Sequence, residues 1–390
     1  MNPSSAGWIK KLLSELSKNN IFLKFSEEGF YDSLRDCGFI YGSNLDVVVQ
    51  VFSKKDLTEE ELCKTNLILS LFYTHARSKS KTNFIDSVID FYGSINEVKT
   101  SIFQDLLGGI KSSEQLEKIV HKRVQIDVNV LTKNFNYFVI NALLYVDVLA
   151  YVEYLKKEKV SINYIKKLES TIVAITLNVL NSKATKNQYD DSLIKLFESS
   201  LRYHDNIDID YNKAVKLIKS KQEKHYILDL ACMATWSDQM IDLEEQQFLE
   251  KLGSDLQLSL SRINQSIKAV NQFYSINKDN IALLSSKNIV QSFYNNSSKM
   301  VHKLISRNSK RLYQEIKDSK ELMVLISQST VRDLSKEEQK KVQEQLLDIF
   351  KSIPSLAIFL LPGGALLLPF VVKFIPKLLP SAFDENRIED

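Results

Sequence analysis

The sequence predicts an all-α protein, and two observations lead to that fold class. Of six prolines, five follow residue 353, and none occurs from residue 4 to residue 353. Proline removes a backbone donor and clashes with the preceding helical turn. A stretch of 350 residues without proline and with few glycines therefore favours helices joined by short polar turns. The predicted architecture is a multi-helix body with a C-terminal proline-punctuated helical membrane segment.

Two helix starts are readable from side-chain spacing. Thr58 with Glu61, and Ser335 with Glu338, have the spacing of a reciprocal capping box. Both pairs precede amphipathic runs, so each predicts the first turn of a helix.

A third stretch predicts one long packed helix, because its apolar residues recur at alternating spacings of four and three. These are Val124, Val128, Leu131, Phe135, Phe138, Ala142, Tyr145, Leu149 and Val152. The middle, 138–152, is apolar nearly all round but shorter than the roughly 20 residues of a membrane span. It predicts a buried core helix in which Asp147 needs a buried partner; a proton site is the alternative.

The composition excludes several functional classes. The formal charge of +3 is small for 390 residues, so DNA is not an expected partner. The three cysteines form no CxxC pair, and the five histidines include no HExxH pair. No phosphate-binding glycine loop or nucleophile elbow occurs. We therefore expect a protein that is not an enzyme and that needs no cofactor.

The length predicts several helical subdomains rather than a single core. The expected regions are 1–123 (N-terminal helical), 124–185 (long central helices), 186–277 (a subdomain discussed below), 278–334 (connector), 335–383 (amphipathic lead-in and membrane segment) and 384–390 (polar tail).

The C-terminal run differs from everything before it. From Ser352 to Val372 there are 21 residues without a charge. As a helix they would extend about 31 Å, which matches a hydrocarbon core of about 30 Å. Pro362, Pro369 and Pro376 recur every seven residues, which places them on nearly one helical face.

We expect this run to be the membrane segment, with a kink or re-entrant turn at its glycines. Its predicted site residues are Pro354, Pro362, Gly363, Gly364, Ala365, Pro369, Lys373, Pro376 and Pro380. One alternative is a buried hairpin between helices of the body. Another is a lipid-surface hairpin whose lysines, Lys373 among them, reach the headgroups.

Localisation follows from the flanking charges. More basic residues precede the run than follow it, and the amino terminus lacks the apolar stretch of a signal peptide. We expect a membrane-associated protein, in a bacterial inner membrane, with its N-terminal body in the cytoplasm.

Three motifs near the C terminus carry a family resemblance. LSKEEQ, LLDIFKSIP and LLPFVVKFIPKLLPSAF resemble the lead-in helix and membrane segment of the LETM proteins, over about 50 residues. The arrangement of a helical body before this segment resembles bacterial LETM-related, biofilm-associated proteins. The resemblance implies membrane anchoring, cation homeostasis through proton-coupled exchange of K⁺ or Ca²⁺, and ribosome association through a following helical domain.

Two features separate this sequence from that family pattern. Because the sequence ends at Asp390, we expect no counterpart of the ribosome-associated domain that would follow, and it reads Gly363, Gly364, Ala365 where the family carries an acidic residue. The run thus holds no titratable proton carrier. We expect a membrane-anchored scaffold or interaction protein with an unknown protein partner or a second copy of itself. The alternatives are an exchanger or transporter subunit, and a ribosome-associated membrane protein.

A second resemblance lies at residues 228–259, which are similar to the core helix pair of tellurite-resistance TerB-like domains. Ala231, Ala234, Asp238, Asp242 and Glu245 match that arrangement, whereas Gln239 replaces a usual glycine.

Asp238, Asp242 and Glu245 could together hold a divalent cation, since hard cations favour carboxylate oxygens. The alternative is that Asp242 caps a helix whose dipole the glutamate complements.

A basic stretch, 303–317, is compatible with anionic lipid or RNA, and alternatively is a solvated helix face.

Overall fold

The computed structural model describes residues 1–18, 21–49, 57–95, 111–124, 130–160, 162–182, 211–235, 241, 243–277, 301–329, 332, 334–353, 356, 371, 372 and 375. Every regular element in these ranges is a helix, as predicted. The helices are α1 (Trp8–Lys18), a 3₁₀ turn (Ile21–Lys24), α2 (Glu27–Asp36), α3 (Glu59–Ala76), α4 (Phe84–Ile95), α5 (Ser113–Val124), α6 (Val130–Lys157), α7 (Ile162–Ser182), α8 (Tyr211–Leu217), α9 (Lys221–Thr235), α10 (Leu243–Asp255), α11 (Leu260–Asn277), α12 (Ser309–Asp318), α13 (Lys320–Gln328) and α14 (Lys336–Ser352). Residues 301–307 are also helical.

The capping box predicted at Thr58 is present at the start of α3. The Glu61 amide donates to Thr58 Oγ1 at 3.3 Å, and the Thr58 amide donates to Glu61 Oε2 at 2.9 Å. Helix α1 starts differently, since Glu117 of α5 accepts from the amides of Gly7 and Ile9, both at 2.9 Å. The orphan donors of a helix start can therefore be satisfied locally or by a distant residue.

Helix α3 lies at the centre of the N-terminal region. It packs against α4, α5 and α6, and all of its residues from Glu61 to Leu71 are buried. On its outer end, Tyr73 stacks on Phe30 of α2 with ring centroids 3.9 Å apart. Burial on all sides explains why this helix lacks a clear polar face.

The predicted long helix from 124 to 152 is wrong at its amino end. Val124 ends α5, and Leu131 belongs to α6. The guanidinium of Arg123 donates to Asp147 through Nε at 2.6 Å and through a terminal nitrogen. In one continuous helix these residues would be about 36 Å apart. They meet because α5 and α6 are separate helices that pack together.

The burial predicted for 138–152 is confirmed for 143–151 and for Asp147, while Val152 is half-buried and the side chains of 138–142 lie outside the described part of the chain. Residues 143–151 are all buried, and Asp147 is 0% exposed. Besides Arg123 of α5, the carboxylate accepts from the hydroxyl of Tyr92 in α4 at 3.1 Å. Three helices are thus tied together at one buried carboxylate, as the cost of an unpaired buried charge requires.

A tight turn after α2 depends on one glycine. Gly38 has φ +85°, and a Cβ there would lie 1.8 Å from the carbonyl oxygen of Ser43. The Ser43 amide donates to the Gly38 carbonyl at 3.1 Å and closes the turn. This turn places Tyr41, which is 0% exposed, against the ring of Phe273 in α11, with centroids 5.0 Å apart.

The described apolar side chains form two hydrophobic cores. One runs from Trp8 to Tyr274 and belongs to what we call the body, the described residues through Asn277. The other runs from Val301 to Ile375 and belongs to what we call the carboxy-terminal unit, the described residues from Val301 onward. The region boundaries expected from the sequence stay predictions.

The membrane segment is not supported by the described residues. Among them, no helix combines the length and the apolar character that crossing a bilayer requires. Of the expected segment, only its first two residues and Leu356, Val371, Val372 and Ile375 are described. The predicted span therefore stays a prediction.

Candidate functional site: the carboxy-terminal unit

The carboxy-terminal unit is built around three short amphipathic helices. Helices α12, α13 and α14 pack on one another. Each presents an apolar stripe at helical spacing to the shared core. The residues of these helices and of the preceding helical stretch 301–307 that are 0% exposed are Val301, Ile305, Leu312, Ile316, Leu322, Ile326, Leu346 and Phe350.

The start of α14 carries the second predicted capping box. The Glu338 amide donates to Ser335 Oγ at 3.2 Å, and the Ser335 amide donates to Glu338 Oε2 at 2.8 Å. The two terminal guanidinium nitrogens of Arg332 donate hydrogen bonds to the two oxygens of the same carboxylate, at 2.6 and 2.8 Å. These hydrogen bonds, that of Arg332 first, lower the pKa of Glu338 to about 2. Glu338 therefore keeps its charge in mildly acidic solution.

Helices α13 and α14 are joined by exposed polar contacts. Glu321 accepts from Lys341 Nζ at 2.9 Å and from Gln345 Nε2 at 2.8 Å. Ser319 donates to the same glutamine at 2.8 Å. The hydrogen bond from Lys341 is the main reason that the pKa of Glu321 is lowered.

Side chains of α12 form hydrogen bonds with the last residue of α14. Arg311 donates to the carbonyl oxygen of Ser352 at 2.6 Å, and the Ser352 hydroxyl donates to Glu315 at 3.3 Å. Arg311 thus satisfies a carbonyl that a helix end leaves without an intrahelical partner. The next residue, Ile353, is extended and 2% exposed. These contacts fix the position of Ser352, the residue at which α14 ends.

Three described residues after Ile353, two in the charge-free run and one just beyond it, pack into the unit. Leu356, Val371 and Ile375 are 0% exposed and belong to the core formed by α12 to α14. At these positions the run lies against helices, as the buried-hairpin alternative expects. None of these three was a predicted site residue, and all of the predicted site residues of the membrane segment lie outside the described part of the chain: Pro354, Pro362, Gly363, Gly364, Ala365, Pro369, Lys373, Pro376 and Pro380.

A polar joint connects the unit to the body. Arg307 forms an ion pair with Glu61, which is 1% exposed and also accepts from Ser4 Oγ at 2.6 Å. Beside it, Lys303 Nζ donates to the carbonyl oxygen of Leu57 at 2.8 Å. The capping glutamate of α3 therefore also anchors a residue 246 positions further along the chain.

The basic stretch 303–317 is not only a solvated helix face, which was one of the interpretations made from the sequence. Lys303, Arg307 and Arg311 contact other parts of the chain. Lys310 and Lys317 are exposed, and Lys317 lies 5.8 Å from the ring centroid of Tyr313. Sequence spacing could not separate these two groups, because their partners come from distant segments.

The candidate cation site is only partly described. Glu245 lies in the first turn of α10 and is 1% exposed, whereas Asp238 and Asp242 lie outside the described residues. Within the described ranges, no three His, Cys, Asp or Glu side chains come close enough to share a metal ion. The divalent-cation site and the helix cap at Asp242 both stay predictions.

A buried polar cluster around Asp229 was missed by the sequence analysis. Tyr31 and Arg35 of α2, and Arg262 of α11, surround this carboxylate of α9. The available signal was the same as for Asp147: an acidic residue inside an apolar helical stretch, here ILDLACMA at 227–234.

Comparison with known proteins finds a family match in the last part of the chain. Residues 334–390 match the family model described as "LETM1-like, RBD". This part of the chain is LETM1-like. The match begins at Leu334, next to the capping box, so the LETM1-like segment includes the whole of α14. The LETM resemblance stated from the sequence is confirmed for these residues, and the TerB-like resemblance stays a prediction.

One curated relative supports the same assignment. The chain is 34% identical over 87 residues to "LETM1 domain-containing protein YLH47, mitochondrial" from Saccharomyces cerevisiae. The similarity covers 21% of this chain and 19% of the yeast protein, so the chain spans about a fifth of that relative. No solved structure matches.

Proposed function

We propose that this protein is a membrane-attached helical scaffold, in which the LETM1-like unit attaches to lipid and the body binds a protein partner. One observation carries the proposal. The 21-residue run without a charge continues directly from α14, inside a segment that matches the LETM1-like family. A run of that length and polarity suits a hydrocarbon environment.

The joint supports a scaffold rather than a flexible tether. Arg307 and Glu61 connect the unit to the body through a buried carboxylate, and Arg311 fixes the end of α14. Such contacts would transmit the orientation of a lipid-bound unit to the body. Scaffold action requires this kind of fixed geometry.

The chemistry of the run favours anchoring over ion exchange. Between Ser352 and Val372 the sequence contains no titratable side chain that could carry a proton. The buried acids Asp147 and Asp229 are each held by arginine and tyrosine. Those contacts suit structural roles.

Fractionation of the full-length protein in cells, followed by an alkaline carbonate wash, tests the proposal. We expect the wild type to stay in the membrane pellet, and a Leu366→Arg, Leu367→Arg variant in the middle of the run to be extracted. Val324→Arg is the matched control, because Val324 is an apolar residue of the unit that is 52% exposed. Its pelleting should equal that of the wild type. A wild type that appears in the wash supernatant would contradict membrane attachment.

Ribosome association is a second candidate, because the matched family model carries "RBD" in its description and the LETM resemblance implies such a role. The exposed face of α14, with Lys336 and Lys340, is the surface to test. We expect the chain to co-sediment with ribosomes at low salt, and a Lys336→Glu, Lys340→Glu variant to lose that association. The control is Lys10→Glu on the exposed face of α1. Equal sedimentation of both variants would exclude α14 as the contact.

A further inference from the structure

One face of α12 carries two exposed lysines. Lys310, Gln314 and Lys317 follow one another at spacings of four and three, so they share one side of the helix, and all three are exposed. Tyr313 borders them, half-buried, with its ring centroid 5.8 Å from Lys317 Nζ. We call Lys310, Tyr313, Gln314 and Lys317 the lysine face. It combines positive charge with a tyrosine, a residue type that is enriched at membrane–water interfaces.

The acids of α12 do not neutralise the lysine face. Glu315 and Asp318 follow Arg311 at spacings of four and seven, so they lie on the Arg311 side of the helix. Among the described residues, no acid forms an ion pair with Lys310 or Lys317. The two lysines therefore keep their charge unopposed at close range.

The next acid along the chain is engaged by α14. Glu321, in the first turn of α13, pairs with Lys341 at 2.9 Å and accepts from Gln345 at 2.8 Å. At the end of α14, Lys351 pairs with Asp348 at 2.6 Å. These pairs balance charges of α13 and α14 against each other, and they leave the lysine face with a net positive charge.

Contacts near both ends of α12 place the lysine face beside the start of the charge-free run. Arg311 and Glu315 bond to Ser352, the last residue of α14, and Ser319 bonds to Gln345, seven positions earlier. Seven helical positions extend about 10 Å. Measured along α14, the lysine face therefore lies within about 10 Å of the residue at which the run begins. That length equals the Debye length of about 10 Å at 0.1 M salt.

The run packs on the unit near both of its ends. Leu356 and Val371 are 0% exposed and belong to the core formed by α12 to α14. Lipid that takes up the middle of the run would therefore adjoin the unit itself. The lysine face would then lie at the lipid surface, where positive side chains are attracted to anionic headgroups.

We propose that the lysine face binds the headgroups of anionic phospholipids and so selects the lipid to which the unit attaches. This inference rests on the membrane attachment proposed above and adds the class of lipid. Lys310 and Lys317 meet the negative charge of the headgroups, and Tyr313 lies beside them at the interface. Salt weakens this contact, because it screens exposed charges.

Flotation of the full-length protein with vesicles tests the proposal. Vesicles of phosphatidylcholine measure attachment through the run, and vesicles that also contain phosphatidylglycerol add the anionic headgroup. At 0.1 M salt, Lys310→Gln, Lys317→Gln should lower the partition coefficient on anionic vesicles about thirtyfold and leave that on neutral vesicles unchanged. Lys336→Gln, Lys340→Gln is the matched control. It removes the same charge at the start of α14, about 24 Å from Ser352 along the helix, and should match the wild type.

The two kinds of vesicle separate failure of this inference from failure of membrane attachment. A wild type that floats with neither vesicle would overturn both proposals. Equal flotation with both vesicles, or equal losses in the two double variants, would overturn the lipid preference and leave attachment by the run intact. If Lys310→Gln, Lys317→Gln weakens binding to polyuridylic acid but not to anionic vesicles, the face binds RNA and the inference is wrong.

A fluorescent label reports the position of the face directly. Cys37, Cys63 and Cys232 are buried, so an environment-sensitive maleimide dye should react selectively with a Gln314→Cys variant. Its emission should shift to shorter wavelength when anionic vesicles are added. The same dye on Glu337→Cys, at an exposed position in the first turn of α14, is the control and should not shift. No shift at Gln314→Cys on anionic vesicles that bind the protein would overturn the proposal.

Discussion

The same four-residue capping motif starts α3 of the body and α14 of the carboxy-terminal unit, yet the two glutamates have different surroundings. Glu61 is 1% exposed and binds Thr58, Ser4 and Arg307, the last two from other parts of the chain. Glu338 lies at the surface and binds residues within six positions of itself. The local motif therefore predicts where a helix starts. How much its glutamate contributes to the free energy of unfolding depends on the residues that pack around it.

The difference extends to the polar contacts of both regions. The body holds Asp147 and Asp229 at 0% exposure among arginines and tyrosines. The unit instead uses pairs such as Lys341 with Glu321, whose side chains are 59% and 55% exposed. Buried pairs are costly to break, whereas exposed pairs contribute little. Four experiments can sharpen or break this comparison.

The largest effect is expected at Asp147. Asp147→Asn leaves Arg123, whose side chain is 10% exposed, without its charged partner, and should lower the free energy of unfolding by about 3–5 kcal/mol. Urea unfolding measures the change. Glu153→Gln, on the same helix but paired with exposed lysines, is the matched control and should shift the curve far less. Equal shifts would show that burial does not set the weight of these pairs.

The joint between the two regions is next. Glu61→Gln removes the charge that Arg307 pairs with, while the amide oxygen can still accept from the Thr58 amide and the amide nitrogen can donate to the Ser4 hydroxyl. We expect a loss of about 2–3 kcal/mol, and faster hydrogen exchange in 301–307 than in the wild type. Glu338→Gln tests the same motif at the surface. If it destabilises the protein as much as Glu61→Gln, the contrast between the two capping boxes is wrong.

The third experiment uses pH. His225 has a folded-state pKa of about 4, mainly because of burial, against an ordinary value of 6.5. Between these values the unfolded chain binds more protons, so stability should fall as pH is lowered from 6.5 towards 4. His225→Gln should flatten the curve of unfolding free energy against pH in that window. His75→Gln is the control, since His75 is only half-buried and its pKa is lowered less; an equal flattening would contradict the prediction.

The smallest effect is expected at the Ser335 cap. Ser335→Ala removes the acceptor for the Glu338 amide and should cost about 1 kcal/mol. Circular dichroism during urea unfolding measures the change. Lys341→Met, which breaks an exposed pair in the same unit, should leave the unfolding midpoint unchanged. A larger effect from Lys341→Met would mean that surface pairs stabilise this unit more than its helix cap does.

Prediction from the sequence succeeded where the relevant interactions are local. Proline distribution and apolar spacing predicted the helical fold, and the two capping boxes were correct to the residue. The need of Asp147 for a buried partner was also predicted. The identity of that partner was not, because Arg123 lies 24 positions away and meets it only through packing of α5 on α6. The error over 124–152 has the same cause, since the apolar periodicity continues from α5 into α6 although they are separate helices.

In the candidate site, too, local features could be predicted from the sequence and contacts between distant residues could not. The LETM resemblance of the last residues was readable from LSKEEQ and the proline-rich run, and the family match confirmed it. The contacts of Arg307 with Glu61 and of Arg311 with Ser352 were not readable, because the stretch 303–317 looks uniformly basic in sequence.

By itself, the sequence determined the all-α class, two helix starts, and the charge-free run whose proline pattern resembles the LETM proteins. These depend on backbone geometry and on neighbours three or four positions away. Only the tertiary structure decided which charged side chains are buried, which arginine meets which acid, and that the apolar side chains form two cores. Those outcomes depend on contacts between residues tens to hundreds of positions apart, which no local pattern encodes.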